Sequence, residues 1–194
     1  MDGICDMRFS IILPTYNVSE FVRDAVFSVL NQVEVQAQFE LIIVDDGFTD
    51  GTWEIVKNFS EYKNVKVYQI EHQGLGDSRN FGLLKSNGDY ILYLDGDDMI
   101  DVRLLGKLES HIVNQQPDMI IFSWQRMNIL GNIDSPIYGG GSIEDMWPAC
   151  WNKCYRRKIL SNIALMLDLR TDFSLPCKLI AEEHFLYDSI FTRI

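Results

Sequence analysis

Apolar runs and helical spacings alternate along the first two thirds of the chain. Phe9-Ser-Ile-Ile-Leu13 is short, mostly apolar and closed by Pro14, which is the form of a buried strand. Phe21, Val22, Ala25, Val26, Val29 and Leu30 then recur at helical spacing. Glu40 to Val44 predicts a second strand, Ile55, Val56 and Phe59 a short helix, and Val65 to Ile70 a third strand. Gly88-Asp89 marks a turn into a fourth strand, Tyr90 to Leu94. Leu104, Leu105, Leu108 and Ile112 share one helical face, and Met119 to Trp124 predicts a fifth strand. Past Trp124 the pattern weakens. Gly139 to Gly141 reads as a flexible loop, Trp147 to Arg157 mixes aromatics with Lys and Arg, and a last helix is expected from about Ala181 to Phe191.

Near-continuous apolar strands separated by amphipathic helices predict a parallel sheet covered on both faces. The fold class is therefore α/β, a Rossmann-like, doubly wound and mainly parallel sheet. A chain of 194 residues, 47% hydrophobic and 23% charged, suits one globular domain. At this length roughly 70% of the unfolded surface is buried, enough for a core without disulfides or structural metal.

Charge narrows the functions. Asp and Glu number 28 against 17 Lys and Arg, a net charge of -11, so binding to a nucleic-acid backbone is excluded for want of a basic footprint. A solvated acidic surface accounts for the net charge alone, but acidic groups gathered in one place would hold a divalent cation. Cys5, Cys150, Cys154 and Cys177 are too sparse for a disulfide framework, and with no second pair of ligands they make a poor zinc signature; free thiols are expected. The longest uncharged stretch, Phe9 to Ser19, contains Pro14 and is too short for a transmembrane helix. Nothing resembles a signal peptide, so a cytoplasmic location is expected.

Ligands of open α/β sheets bind beyond the carboxyl ends of the strands. Those ends here are Pro14-Thr-Tyr-Asn17, Asp45-Asp-Gly-Phe-Thr-Asp50, His72-Gln-Gly-Leu-Gly-Asp-Ser-Arg-Asn80 and Asp95-Gly-Asp-Asp98. Three carboxylates in the last four residues repel one another unless a cation or donor neutralises them, although an acidic turn capping the next helix is also consistent. Asp45 and Asp46 suit hydrogen bonds to a base or ribose, with Gly47 turning the backbone away, while Asp50 or Thr49 suits ordinary capping. The glycine loop before Arg79 offers backbone N–H groups to a phosphate but matches neither the Walker loop nor the dinucleotide fingerprint.

Taken in order, S-I-I-L-P-T-Y-N, L-I-I-V-D-D-G-x-T-D-G-T, G-L-G-D-S-R-N-F-G-L, Y-I-L-Y-L-D-G-D-D, W-N-K-C-Y-R-R and the late pair Glu182-Glu183 resemble the family 2 glycosyltransferases of GT-A fold. The resemblance implies an inverting transfer of sugar from a nucleotide-diphosphate donor, with UDP expected, to a saccharide or lipid-linked acceptor. The donor's nucleotide would be bound by the first-strand exit (Pro14, Tyr16, Asn17) and the second-strand exit (Asp45, Asp46). Tyr16 would stack on the base, Asp46 hold its edge, Arg79 face the diphosphate and Asp95 lie near the ribose. Asp97 would coordinate the divalent cation, Mn2+ or Mg2+. Glu183 takes the position of the catalytic base, with Glu182 its rival. Residues from about 8 to 124 would form the nucleotide-sugar part and those from about 125 to 194 an acceptor-side part, truncated at its C-terminus, with peripheral association at the inner face of the cell membrane.

Phe48 stands where the family usually has Ser, and Glu183 is a methylene longer than the usual Asp. Two rivals are a nucleotide-sugar-binding remnant without transfer and a haloacid-dehalogenase-like phosphatase, whose Asp-x-Asp strand normally comes first in the chain. His72 and His184 read as solvated or hydrogen-bonding residues rather than ligands, and His111 carries no assigned role. Trp147, Trp151 and Tyr155 suit either a sugar platform or core packing.

Overall fold

The structure, a computed structural model, describes residues 7–47, 49–128, 132–133, 135–138, 149–162 and 185–193. Seven strands form one sheet: β1 (Arg8–Thr15), β2 (Gln38–Asp45), β3 (Val65–Gln69), β4 (Tyr90–Tyr93), β5 (Met119–Gln125), β6 (Lys153–Arg156) and β7 (Phe185–Arg193), in the order β3-β2-β1-β4-β6-β5-β7. The helices are α1 (Val22–Leu30), α2 (Thr52–Val56), which runs on into a 3-10 turn (Lys57–Glu61), α3 (Leu75–Lys85), α4 (Leu104–Gln115) and α5 (Arg157–Asn162). Every pairing is parallel except those of β6, which lies antiparallel between β4 and β5. The α/β doubly wound fold expected from the sequence is thus the observed one. No helix among the described residues is long and apolar enough to cross a membrane.

The strand period of two divides the core into two layers. Ile11, Leu13, Leu41, Ile43 and Leu92 face a cluster that includes Val26 and Val29 of α1 and Leu105 of α4. Ile12, Ile91, Tyr93 and Ile121 face the other way, onto Tyr155, Ile159 and Leu160. Each aliphatic side chain taken fully out of water contributes about 1.5–3 kcal/mol, so the two layers supply the driving force of the fold.

Helix α3 is different, because its buried residues are Ser78, Arg79, Asn80 and Gly82 rather than an apolar stripe. It lies close against the sheet. A Cβ on Gly82 would stand 2.4 Å from Ile12 Cγ2 and 3.4 Å from Val44 Cγ2, so glycine is what lets the helix backbone reach the strands.

Two segments depart from the sequence expectation. The mixed aromatic and basic stretch contains β6, whose Lys153 is fully buried with its ammonium bonded to Asn152 Oδ1 at 2.7 Å and to the Ala149 carbonyl. The helix expected over 181–191 is corrected by β7, which pairs parallel with β5. Its apolar spacing fits a helix, but Phe185, Tyr187, Ile190, Phe191 and Thr192 are strand-favouring types, and the open edge of β5 gives them a partner. Cys150 and Cys154 are both buried, and burial pushes the Cys154 thiol up.

The Gly82 contact yields a stability test. Gly82→Ala gains up to about 1 kcal/mol of helix propensity but overpacks a β-branched neighbour, which costs about 1–3 kcal/mol. A lower urea midpoint with unchanged slope is expected, and an equal or higher midpoint would show that α3 has room to slide.

Candidate active site

Parallel pairing in register brings the strand exits to one level. Thr15 pairs with Asp45, the Asp46 N–H donates to the Thr15 carbonyl at 2.9 Å, and the Ile70 N–H donates to the Asp45 carbonyl at 2.9 Å. The Leu94 N–H donates to the Ile12 carbonyl at 3.0 Å, which carries β4 out beside them. The exits enclose a cleft of about 280 Å³ whose walls include Pro14, Tyr16, Asp46, His72, Asp95 and Asp97. The start of α3, at Gly74, Leu75 and Ser78, closes one side.

Asp46, 3% exposed, organises this end of the sheet. Its Oδ1 accepts the Gln73 N–H and its Oδ2 the Gly74 N–H, each at 2.8 Å. His72 Nδ1 lies 2.9 Å from both the Asp46 main-chain oxygen and Oδ2, and the imidazole stacks on Tyr16 with ring centroids 4.5 Å apart. Gly47 holds φ at +78°, where an L side chain is strained, and a Cβ there would meet His72 Cβ at 3.4 Å.

Other residues of these loops serve to fasten them. Asn17, at φ 53°, accepts the Thr49 N–H at 2.9 Å and the Thr49 hydroxyl at 3.1 Å, tying the first loop to the second. Asp50 accepts the Ser19 N–H at 2.9 Å, the Thr52 N–H at 3.0 Å and the Thr52 hydroxyl at 2.6 Å. Although desolvation opposes ionisation there, the Thr52 and Ser19 donors hold the Asp50 carboxyl well below its ordinary range. Asp45 is fully buried behind the wall, accepting from the Thr15 hydroxyl at 3.2 Å and Gln69 at 3.4 Å. Burial, then the charges of Asp46 and Asp50, push its pKa up.

Arg79 is 1% exposed and donates to Asp95 Oδ1 at 2.6 Å. Its guanidinium is turned onto Asp95 and is not part of the cleft wall, so any influence on a phosphate would pass through that carboxylate. The Asp95–Asp98 turn is closed by the Asp98 N–H on the Asp95 carbonyl at 3.1 Å. Asp97 is exposed and lines the cleft. Burial first, then the neighbouring Asp95 and Asp97, push Asp98 up to about 8. Among the described residues no group of three or more His, Cys, Asp or Glu side chains is placed to hold a metal, so the turn is not a cage made of protein alone.

Tyr155 is fully buried against Tyr93, ring centroids 6.3 Å apart, and belongs to the core rather than to a sugar platform. Trp151 meets Trp124 edge-on at 5.2 Å, and Trp124 stacks on Tyr138 at 4.4 Å. Phe48, Trp147, Glu182, Glu183 and His184 lie outside the described residues. The glycine loop's N–H groups were expected to serve a phosphate, but those of Gln73 and Gly74 are taken by Asp46. The ring of His72 is a cleft feature that residue types alone did not assign.

A doubly wound sheet with one antiparallel insertion, and an acidic cleft over its strand exits, defines the GT-A architecture. The chain belongs to glycosyl transferase family 2, whose profile matches residues 10–165. The poly(ribitol-phosphate) beta-N-acetylglucosaminyltransferase TarS of Staphylococcus aureus is 32% identical over 124 residues, 63% of this chain and 22% of that protein. Glycosyltransferase GlyA of Streptococcus pneumoniae is 32% identical over 126 residues, 64% of this chain and 18% of that protein. The chain therefore spans about a fifth of the length of these relatives. The crystal structure of S. aureus TarS 1–349 superposes with a TM-score of 0.77 at 26% identity, covering 96% of this chain and 60% of that one. The mannosyltransferase PcManGT from Pyrobaculum calidifontis, solved with GDP-Man and Mn2+, has the same fold at 15% identity, TM-score 0.74, over 97% of this chain and 57% of that one.

The Arg79–Asp95 pair is testable without any ligand. In a double-mutant cycle of Arg79→Gln and Asp95→Asn, urea unfolding should give a coupling of roughly 1–3 kcal/mol, because each change alone breaks the same ion pair and strands the other member. Additive losses would separate the two residues.

Proposed function

We propose that this chain is the donor-binding catalytic domain of an inverting glycosyltransferase that takes a sugar from a nucleotide-diphosphate donor, UDP being the nucleotide, and passes it to a hydroxyl of a saccharide or lipid-linked acceptor. The observation that carries the reading is the single cleft in which an aromatic ring (Tyr16), a carboxylate at a strand exit (Asp46), the start of a helix and two further carboxylates (Asp95, Asp97) meet. Such a set offers separate chemistry to a base, a ribose and a diphosphate. TarS 1–349 has been solved with UDP and with UDP-GlcNAc, and that fold likeness supports a nucleotide-sugar donor here.

In this reading Tyr16 stacks on the base and Asp46 holds its edge, with Pro14, Asn17 and Asp45 shaping the pocket. Asp95, oriented by Arg79, takes the ribose. Asp97 is the residue that would hold the divalent cation, Mn2+ or Mg2+, which when bound supplies positive charge beside the departing diphosphate. The donor set fits such an ion, since a magnesium-type cation takes one or two carboxylates and fills its shell with water and phosphate oxygens. The N–H groups at the start of α3 add a fixed partial positive charge on the same side.

A sugar hydroxyl is a weak nucleophile, so a carboxylate must accept its proton as it attacks the anomeric carbon. Glu183 is the proposed base, with Glu182 the alternative, on the strength of their place in the family pattern. One displacement inverts the anomeric centre. Residues from about 125 onward would contribute the acceptor side, and the chemistry would take place in the cytoplasm or at the inner face of the membrane.

Calorimetry of UDP in manganese and in excess chelator tests the donor site. Affinity should fall at least tenfold in chelator, and Asp97→Asn should lose most of the manganese effect while Asp98→Asn loses less. Equal affinity in both media would remove the cation from the reading. Glu183→Gln should leave UDP affinity near wild type while transfer falls by roughly a hundredfold or more. If Glu182→Gln proves the more damaging change in a folded protein, the base is one residue earlier.

A further inference from the structure

We propose that the His72 imidazole is a built-in occupant of the nucleobase seat, which the base of the donor displaces on binding. The inference rests on the donor reading above and adds a residue that the reading leaves unused.

His72 makes two contacts at once. Its ring lies against Tyr16 with centroids 4.5 Å apart and planes 23° from parallel, and its Nδ1 sits 2.9 Å from Asp46 Oδ2 and 2.9 Å from the Asp46 main-chain oxygen. A flat nitrogen heterocycle, stacked on a phenol and donating an N–H to a buried carboxylate, is the chemistry by which a nucleobase is gripped. The chain supplies that heterocycle from its own side. Tyr16 and Asp46 therefore cannot give the same ring face and the same lone pairs to a base until the imidazole has left.

Leaving is easy. The His72 side chain is 57% exposed, so rotation about its own bonds carries the ring into solvent. The backbone need not follow, because the next two residues stay fastened by the Gln73 and Gly74 N–H groups on Asp46. Space points the same way. Withdrawing one imidazole enlarges the cleft of about 280 Å³ at its base end.

An occupied seat divides the apparent affinity by the fraction of molecules in which it is empty. Removing the ring therefore strengthens donor binding, the opposite of what removing a base contact does. By calorimetry in manganese, His72→Ala should bind UDP about threefold to tenfold more tightly than wild type, the range given by losing one stacked, hydrogen-bonded ring. His72→Gln, which keeps an N–H donor but no ring, should fall between the two. In the wild-type protein the His72 Cε1–H proton resonance, shielded by the Tyr16 ring, should move downfield as UDP is titrated. Weaker or equal UDP binding by His72→Ala, or a His72 resonance that stays in place while UDP binds, would overturn the inference alone. If neither wild type nor His72→Ala binds UDP or GDP, the donor reading itself falls and takes this inference with it.

Discussion

The Asp46 carboxylate is held out of water by two main-chain N–H groups, those of Gln73 and Gly74, and the cleft depends on that grip. Charge-assisted bonds of this kind are shorter and stronger than neutral ones, and here they join the exit of β2 to the loop that launches α3. The position of the helix start, of His72 and of the opposing Tyr16 ring all follow from where Asp46 stands. Asp46 is in turn fixed by its own N–H on the Thr15 carbonyl, so the register of β1 against β2 reaches the ligand side through one residue.

A second arrangement lies across the cleft. Asp95, Asp97 and Asp98 crowd carboxyl groups into one turn, and Arg79 meets it through Asp95. Asp95 therefore has a cationic partner inside the fold, while Asp97 is exposed on the cleft side; both line the cleft, and Asp98 does not. The pairing with Asp95 also explains why α3 can bury an arginine in place of an apolar stripe: the helix packs by shape at Gly82 and by charge at Arg79.

Five strands were legible in the sequence because four are short, mostly apolar runs buried on both faces and the edge strand β3 is rich in strand-favouring types, and the parallel class followed from the helices between them. Lys153–Arg156 was not legible, since two of its four residues are basic and only the tertiary environment reveals that Lys153 finds carbonyl partners inside the sheet. Phe185–Arg193 was misread because apolar residues at three- and four-residue spacing satisfy a helix as well as a strand, and the neighbour that decides between them, β5, is more than sixty residues away in sequence. At the site, the loops that residue types singled out are ones that line the cleft. Direction was what they could not give: Arg79 carries the charge expected of a phosphate ligand but faces Asp95, and Asp45 and Asp46 are adjacent letters of which one is a buried brace and the other a wall of the cleft.

The antiparallel β6 also governs the order in which the molecule can be assembled. Strands β1 to β4 pair among themselves, with Phe9 of β1 beside Tyr90 of β4, but β5 has no ladder to β4; among the described strands it is joined to them only through β6. Until residues 153–156 arrive, β4 presents an unpaired edge, and β5 has no place in the sheet. Unpaired edges are templates for intermolecular pairing. Cutting the chain after its fifth strand would therefore leave β4 with an open edge and β5 without its neighbour, rather than a smaller complete sheet.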